Sequence, residues 1–454
     1  MKLTDLNPRG GIGANSVLLE LGPFRLVIDS GMNPKLMGTE ALPKIEHTRS
    51  KPVDLVLLTH CHLDHLGTIP VLMREHPEAI LILSPASKLL ARRMLHNSCN
   101  VMMRQKEEHG VDAYPLFTRG EVERLNQRSF ALPCNHPRFF SSDDGQRLSI
   151  TFHHAGHIPG AVGITLEYNH QRIFHTGDVL FTDQRILKGA NFPRHRVDTM
   201  VLETTRGMTG RASGKSREEE IDRLLTTINA TLHAGGSVLV PAFALGRMQE
   251  LLAVFRDARR AGKLTAAPIY SSGLGMDLAN YFDEIAEKTP EVSFDRRILK
   301  ELNVTRMPDG MKAGRPPKQP GIYLLSSGMV VENTPSYLAA ASLLSDPSAT
   351  ICFVGYCDPE APGGTILAAE PEADVLFSAL QHTGIRRAKI EKFDLSSHAD
   401  REELLEFALA CTPRTVVLTH GDADARAWFQ DAFKEAAPGI RVIDPEPLQS
   451  YSLA

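Results

Sequence analysis

The sequence groups three histidines and one aspartate in Thr59-His60-Cys61-His62-Leu63-Asp64-His65, directly after the apolar run Asp54-Leu55-Val56-Leu57-Leu58. On an extended segment, side chains two apart point to the same side, so His60 and His62 face one way and Cys61 the other. Asp64 and His65 fall where the chain turns into a helix and can face a second cation. Imidazoles with a carboxylate suit zinc, so the stretch predicts a metal site rather than a polar loop.

Two further strand ends carry ligand-type side chains. His157 lies in the glycine-flanked turn Ala155-Gly156-His157-Ile158-Pro159-Gly160, and Asp178 ends His175-Thr176-Gly177-Asp178. Loops at one edge of a layered fold can converge on a single site, and a carboxylate such as Asp178 can bridge two cations. The neighbouring histidines are interpreted as packing or supporting groups: His153, His154 and His175.

The first part of the chain is rich in short β-type runs, most of which have Gly, Pro, Asn or Asp near their ends. The predicted strands are Ser16–Leu21, Arg25–Asp29, Val53–Thr59, Ala79–Leu83, Leu148–His153, Gly163–Tyr168 and Arg172–His175. Helical patterns at Leu66–Glu75 and Ser87–Glu108 lie between some of them. This alternation predicts a layered sandwich of sheets and helices.

After Glu203 the pattern changes to strands that alternate with helices. Ser216 and Glu219 form a capping box that opens a helix, and that helix is expected to end near Ala234. Further elements follow in strand–helix order: Ser237–Val240, a helix from Arg247, Ile269–Tyr270, a helix from Gly275, then Lys389–Phe393, Asp400–Cys411, Thr415–Thr419 and Ala423–Ala436. Such βαβ units predict a parallel sheet and a second domain.

Composition limits the classes of partner. The 454 residues carry 50 Lys and Arg against 54 Asp and Glu, a net charge of −4, so a polyanion would need a local basic groove. Six cysteines without a CxxC pair fit a reducing compartment. The N-terminus has no apolar signal core and no run approaches a membrane span, which predicts a cytoplasmic protein without membrane contact.

The order of these motifs resembles that of the metallo-β-lactamase superfamily, beginning with Asp29 in Ile28-Asp29-Ser30-Gly31. Later stretches are similar to the β-CASP family of nucleases: Leu202-Glu203-Thr204-Thr205, Val240-Pro241-Ala242-Phe243-Ala244-Leu245-Gly246-Arg247, Ser326-Ser327-Gly328-Met329, Phe393-Asp394-Leu395-Ser396-Ser397-His398 and Leu418-Thr419-His420-Gly421. The resemblance implies an α/β fold in which a four-layer αββα metallo-β-lactamase domain (1–205 and the returning 389–454) carries an inserted α/β β-CASP domain (206–388).

The resemblance also implies two zinc ions per chain and a ligand set. One ion would take His60, His62, His157 and Asp178, and the other would take Asp64, His65, Asp178 and His420. A hydroxide held between the ions would attack the phosphate. His398 would be the general acid, Glu203 would hold His398 in orientation, and Asp29 would support a ligand histidine. The catalytic set is therefore His398, Glu203, Asp29 and Asp64.

The implied activity is zinc-dependent hydrolysis of single-stranded RNA, with endonucleolytic cleavage expected although the sequence does not separate it from exonucleolytic cleavage. Substrate contacts are expected at Ser326, Ser327, Gly328 and Thr365. Arg206 stands where the family usually has tyrosine, and Cys61 where it often has alanine. Two alternatives stay open: a metallohydrolase acting on DNA or a small phosphodiester, and a non-catalytic RNA-processing scaffold. The resemblance leaves a homodimer open.

Overall fold

The computed structural model describes residues 1–210 and 216–453, which divide into two compact units. The first unit comprises Met1–Asp183, Lys188–Arg211 and His398–Ala454, and the second comprises Gln184–Leu187 and Ala212–Ser397. The first unit is thus made from both ends of the chain. Among the helices in the described ranges, none has the length and apolarity needed to cross a bilayer.

Two mixed seven-stranded sheets form the centre of the first unit as described. One sheet has the order β22-β1-β2-β3-β4-β5-β6, and the other β21-β20-β11-β10-β9-β8-β7. The strands of the first sheet are β1 (Lys2–Asp5), β2 (Val17–Leu21), β3 (Phe24–Ile28), β4 (Leu55–Leu57), β5 (Ile80–Leu83), β6 (Ser129–Ala131) and β22 (Ser450–Ser452). Those of the second are β7 (Arg138–Ser141), β8 (Arg147–His154), β9 (Val162–Tyr168), β10 (Gln171–His175), β11 (Thr199–Glu203), β20 (Thr415–Thr419) and β21 (Arg441–Ile443).

The core of this unit lies between the two sheets, because inward-facing residues of both sheets join one buried cluster. Leu57 of β4 and Phe152 of β8 are both 0% exposed within it. Helices flank the sheets: α1 (Leu63–Leu66), α2 (Ile69–Glu75), α3 (Pro85–His109) and α4 (Arg119–Gln127) on the side of the first sheet, and α11 (Arg401–Ala410) and α12 (Ala423–Ala436) against the second. The expected αββα layering is confirmed.

The second unit is built on a parallel sheet, as its strand–helix alternation predicts. The strand order is β14-β13-β15-β12-β16-β19, and every pairing in it is parallel. The strands are β12 (Val238–Pro241), β13 (Ile269–Ser271), β14 (Val304–Arg306), β15 (Ile322–Leu325), β16 (Thr350–Phe353) and β19 (Lys389–Lys392), with β17 (Asp374–Phe377) and β18 (His382–Ile385) as a separate hairpin. The helices are α5 (Arg217–His233), α6 (Arg247–Arg260), α7 (Gly273–Lys288), α8 (Ile298–Glu301), α9 (Pro335–Leu343) and α10 (Pro362–Ala368).

The predicted domain boundaries of 205/206 and 388/389 lie close to the points where the compact units divide, and they stay a prediction. The described residues of the two units separate between 210 and 216 and at 397/398. The reason at the second boundary is the strand β19, which pairs with β16 from Thr350↔Lys389 to Phe353↔Lys392 and so belongs to the sheet of the second unit. Strand pairing between distant segments leaves no mark in the local sequence, so this boundary could not be set from the pattern alone.

We expect Leu57→Ala to lower the free energy of unfolding by about 2–5 kcal/mol, because it removes buried methyl groups and leaves a cavity between the sheets. Urea unfolding followed by circular dichroism measures the change. The matched control is Ile80→Ala on the adjacent strand, where the side chain is 43% exposed and the cost should stay under about 1 kcal/mol. Equal losses in the two variants would contradict the placement of the core.

Candidate metal centre

The candidate site lies where several strands of the first unit end. β3 pairs parallel with β4, and β10, β11 and β20 pair parallel in the other sheet, so within each sheet their carboxyl ends meet at one edge. Asp29 directly follows β3, Glu203 ends β11, and His420 directly follows β20. His60 and Asp178 each lie three residues beyond the end of a strand. The fold thus gathers residues that are far apart in sequence.

Three imidazoles form the first donor group. His62 Nδ1 lies 3.2 Å from His60 Nε2 and 3.1 Å from His157 Nε2. Asp178 Oδ2 lies 3.6 Å from His60 Nε2 and 3.8 Å from His157 Nε2. Zinc–ligand bonds of about 2.0–2.2 Å place the corners of a tetrahedron about 3.4 Å apart. The four side chains are therefore spaced as the ligands of one zinc ion would be.

The second donor group combines a carboxylate with two imidazoles. His420 Nε2 lies 3.2 Å from Asp64 Oδ2 and 3.3 Å from His65 Nε2, and the last two atoms complete the triangle at 3.6 Å from each other. Asp178 reaches this group as well, with Oδ2 at 3.4 Å from His65 Nε2 and Oδ1 at 2.9 Å from His420 Nδ1. Asp178 thus touches both groups, which also meet directly where the rings of His60 and His65 lie 4.1 Å apart between centroids.

The chemistry of these donors fits a divalent cation. His60, His65, His157, Asp178 and His420 are all buried, and the ligand atoms of each group lie within 4.8 Å of one another. Buried imidazole and carboxylate lone pairs that point at each other are unfavourable without a positive charge between them. A metal ion would supply that charge, so the residues present fit the metal that the sequence predicts.

Without a metal, the electrostatics of the site favour the ligand forms of His60 and Asp64 but the protonated form of His420. Burial, aided by His65, holds the pKa of His60 well below its ordinary value and keeps that imidazole neutral. Burial would raise the pKa of Asp64, but His65 and His420 outweigh it and lower the pKa to about 2. Burial opposes protonation of His420, but Asp178 outweighs it and raises the pKa to about 10. The Asp178 carboxylate, which raises the pKa of His420 in this way, would also attract a metal cation.

Asp29 orients the ligand residue His65 from the side of its ring opposite the donors. Its carboxylate accepts hydrogen bonds from Thr59 N at 2.7 Å and from Thr59 Oγ1 at 2.6 Å, and its Oδ2 lies 2.7 Å from His65 Nδ1. Nε2 of His65 is thereby left to face the donors. Asp29 adopts the left-handed region with φ of 61°, a conformation that is uncommon for non-glycine residues.

His398 lies against the first donor group, and its imidazole comes within 4.8 Å of the ligand atoms of both His157 and Asp178. Its ring centroid is 4.5 Å from that of His157, and its Nδ1 lies 3.2 Å from each carboxylate oxygen of Glu203. Glu203 is itself fixed, because Oε1 accepts a hydrogen bond from Val179 N at 2.7 Å and Oε2 accepts one from Thr205 N at 3.4 Å. His398 and Glu203 thus lie against the donor groups, and neither takes the place of one of the seven predicted ligands.

The neighbouring residues weighed in the sequence take other positions. Cys61 points away from the donors and its thiol contacts the carbonyl oxygen of Ser87, with burial raising its pKa to about 12. The other histidines contact nearby oxygen or backbone groups: His153 with Thr165, His154 with the carbonyl of Lys188, and His175 with the amide of Gly177. None of these three belongs to a donor group in the described chain.

The expected substrate contacts all lie in the second unit, at strand ends or on a helix. Ser326 and Ser327 follow β15, where Ser327 Oγ accepts a hydrogen bond from Val331 N at 2.9 Å. Gly328 is buried so closely that a Cβ would lie 3.0 Å from the ring of Phe243. Thr365 is exposed on α10. Their role in binding stays a prediction.

Three supporting residues escaped the sequence analysis as functional groups. Asn15 Nδ2 lies 3.3 Å from His65 Nε2 and donates to the carbonyl of Asp64 at 3.1 Å. Thr205 Oγ1 lies 3.0 Å from His420 Nδ1, and Arg206 donates to the carbonyl of His398 at 3.3 Å. Common polar residues in loops give no local signal of such contacts, although the motif around Glu203 includes Thr205.

Comparison with known protein families accounts for most of the chain. Residues 9–214 match a model described as the metallo-beta-lactamase superfamily, 248–366 match the Beta-Casp domain, and 385–445 match a Zn-dependent metallo-hydrolase RNA specificity domain. The chain belongs to the β-CASP family of the metallo-β-lactamase superfamily. As a β-CASP protein with this buried donor set, it is a metal-dependent hydrolase.

Similar proteins share the family across nearly the whole chain. Transcription termination factor FttA of Pyrococcus abyssi is 27% identical over 93% of this chain and 67% of its own length. The RNase J-like protein of Methanocaldococcus jannaschii is 27% identical over 90% of both chains. Endoribonuclease YSH1 of Eremothecium gossypii is 25% identical over 96% of this chain, which spans only 57% of that protein. A crystal structure of a protein of unknown function from Enterococcus faecalis V583 matches the fold over 99% of both chains, with 13% identity and a TM-score of 0.54.

We expect Asp29→Asn to weaken binding of a divalent metal about 10–100-fold, because the amide places an N–H donor where His65 Nδ1 and Thr59 now find an acceptor. Competition with a chromogenic chelator measures the affinity. Asp54→Asn is the control, since Asp54 also accepts a backbone hydrogen bond, from Arg25 at 2.7 Å, but belongs to no donor group. Unchanged affinity in Asp29→Asn would contradict the supporting role.

Proposed function

We propose that this β-CASP chain hydrolyses phosphodiester bonds within single-stranded RNA, with two zinc ions held by its two donor groups. The observation that carries the proposal is the position of His398, which is oriented by Glu203 directly beside a buried set of metal ligands. Hydrolysis of a phosphodiester needs an activated water, a counter-charge for the phosphate and a proton for the leaving oxygen, and these residues offer a place for each.

The first zinc ion is assigned to His60, His62, His157 and Asp178, and the second to Asp64, His65, Asp178 and His420. When bound, the pair would supply Lewis acidity toward the phosphate and lower the pKa of the attacking water. The protein's own part is to fix the donors before substrate arrives. Asp178 touches both groups, and Asp29 and Thr205 hold two of the imidazoles from their far sides.

His398 is assigned the role of general acid. Its Nδ1 faces the Glu203 carboxylate, so the proton at Nδ1 is held there and Nε2 is the atom assigned to pass a proton to the leaving oxygen. The side chain is 16% exposed, which gives it access to a bound substrate while its backbone carbonyl is held by Arg206.

Glu203 acts as a positioning residue. It is 1% exposed and receives backbone hydrogen bonds on both oxygens, so its carboxylate cannot rotate away from His398. The backbone of the His398 loop is fixed to the same point, because Ala399 N donates to the carbonyl of Val179 at 2.6 Å, and Val179 N donates to Glu203. The position of His398, the assigned general acid, is thus fixed by backbone hydrogen bonds at the edge of the sheet.

RNA is proposed as the substrate from the comparisons. The C-terminal region matches a model whose description includes RNA specificity, and similar proteins are named as ribonucleases. Ser326, Ser327, Gly328 and Thr365 stay the predicted substrate contacts. Cleavage inside the strand, a reducing cytoplasmic location and the oligomeric state stay predictions from the sequence.

We expect His398→Ala to lower the rate of RNA cleavage about 10²–10⁴-fold, because the leaving oxygen loses its proton donor. Cleavage of end-labelled single-stranded RNA gives the rate, and the label shows whether cuts are internal. Metal content by elemental analysis should stay at the wild-type value, since His398 is no ligand in this assignment. The control is His47→Ala, an exposed histidine of the same unit.

Parallel reactions with single-stranded DNA and bis(p-nitrophenyl) phosphate separate the substrate classes. Preference for either over RNA would replace RNA as the substrate while leaving the hydrolase intact. A His398→Ala variant that cleaves RNA at the wild-type rate would refute the assignment of the acid. Wild-type protein loaded with zinc that cleaves none of the three would favour a non-catalytic scaffold.

A further inference from the structure

Two exposed phenyl rings on the outer strands of the first unit each carry a stacked arginine. Phe130 in β6 is 39% exposed, and the guanidinium carbon of Arg138 lies 5.2 Å from its ring centroid. Phe139 in β7 is 52% exposed, and the guanidinium carbon of Arg147 lies 4.6 Å from its centroid. We call these four residues the aromatic edge. Since β6 and β7 are the outermost strands of the two sheets, the aromatic edge spans one side of the sandwich.

The arginines of the aromatic edge have no acidic partner. In residues 1–210 and 216–453, neither Arg138 nor Arg147 has a carboxylate within ion-pair distance. The consecutive arginine runs of the sequence behave differently, because each has a member paired with an acid: Arg92 with Glu123, Arg260 with Glu301, Arg297 with Asp295 and Arg387 with Glu372. The positive charge of the aromatic edge is therefore available to an anion.

The strand geometry places the two ring–arginine pairs on opposite sides of β7. Phe139 and Arg147 are diagonal neighbours on one face, since Phe139 pairs with Ser149 and Ser141 pairs with Arg147. Arg138 points from the other face of β7 toward Phe130, which lies on the edge strand β6 of the first sheet. In the turn between β7 and β8, the Asp144 carboxylate accepts hydrogen bonds from Ser142 and Gln146.

Stacked guanidinium and phenyl groups match the chemistry of a single nucleic-acid strand. A guanidinium lying flat on a ring keeps its N–H groups at its rim, where they can bind phosphate, and offers a planar face to a base. Exposed phenyl rings provide further stacking surface, and proteins that bind single strands combine aromatic platforms with unneutralised basic groups. A duplex would offer only its phosphates, since its bases already stack on each other.

The aromatic edge belongs to the same unit as the metal donors, and Phe130 is its member nearest to them. Phe139 pairs with Ser149, five residues before the end of β8 at His154, so the second ring lies about 17 Å further along the strand, and an RNA of several nucleotides is needed to span both. β6 is separated from β4 by β5 alone, and the register Leu57↔Ile82↔Phe130 places Phe130 level with the end of β4. Strands lie about 4.8 Å apart, so Phe130 is about 10 Å sideways from the strand that leads to His60. A strand of RNA bound at the metal centre can extend to this edge.

We propose that the aromatic edge is an accessory binding site for single-stranded RNA, which holds the part of the substrate outside the bond that is cut. The proposal rests on the proposed function, since it takes the substrate class from there. Phosphates bind Arg138 and Arg147, and bases stack on Phe130, Phe139 and the outer faces of the guanidinium groups.

The test measures binding without cleavage. Full-length protein is titrated against fluorescent single-stranded RNA of about 20 nucleotides in the presence of EDTA, and anisotropy gives the affinity at several salt concentrations. Arg138→Gln with Arg147→Gln should weaken binding about tenfold or more. It should also reduce the slope of log affinity against log salt by about 1.4, because each lost phosphate contact on a single strand contributes about 0.7.

Phe139 separates stacking from charge. Phe139→Ala should weaken binding to the long RNA, whereas Phe139→Tyr should bind like wild type because the ring remains. The charge-matched control is Arg49→Gln with Arg104→Gln, two exposed arginines of the same unit that are paired with Glu75 and Glu108. Bis(p-nitrophenyl) phosphate is too short to reach the aromatic edge, so its hydrolysis should be unchanged in every variant. The melting temperature of each variant shows whether it is folded.

Wild-type affinity for the long RNA in both Phe139→Ala and the double arginine variant would overturn the proposal. A change of molar mass in the variants by light scattering would also overturn it, because the aromatic edge would then be an interface between copies. The proposed function is tested separately. If the zinc-loaded protein binds long RNA through the aromatic edge but cleaves none of it, the accessory site stands and the proposed nuclease activity is refuted. Variants that bind long RNA like wild type, together with wild-type protein that cleaves RNA, would keep the nuclease and rule out the accessory site.

Discussion

The structure depends on the close approach of buried lone pairs at one edge of the first unit. Seven side chains bring nitrogen and oxygen donors to within about 3–4 Å of one another, where little water can separate them. Such an arrangement repels itself unless a cation lies between the donors. Asp178 touches both groups, and Asp29 and Glu203 tie the surrounding strand ends to His65 and His398. The strand ends at this edge are therefore held in the positions that keep the donors close enough together to bind a cation.

Much of the candidate site could be predicted from the sequence because its densest part is local. The segment His60–His65 signals its chemistry through spacing after an apolar strand, and the capping boxes at Ser216 and Asp400 mark helix starts that the structure reproduces. His157, Asp178 and His420 are single residues at strand ends, and only the resemblance to a family placed them with the others. The structure brings all of them together with the segment, and their assignment as metal ligands stays a prediction.

What the sequence could not supply depends on contacts between distant segments. β19 joins the second unit's sheet through pairing with β16, some forty residues earlier, and this moved the unit boundary beyond the expected residue 388. The positive φ of Asp29 and the contact of Arg206 with the carbonyl of His398 are likewise products of tertiary packing. The same holds for the aromatic edge, where Arg138 of one sheet lies over the ring of Phe130 in the other although the chain carries a net charge of −4.

The measurement that tests the central claim most directly is an anomalous difference map, recorded at the zinc absorption edge from crystals grown with Zn²⁺. The account predicts two peaks about 3.5–4 Å apart, one among His60, His62, His157 and Asp178 and the other among Asp64, His65, Asp178 and His420. A map without density between these side chains, from crystals in which the same residues are well ordered, would contradict it.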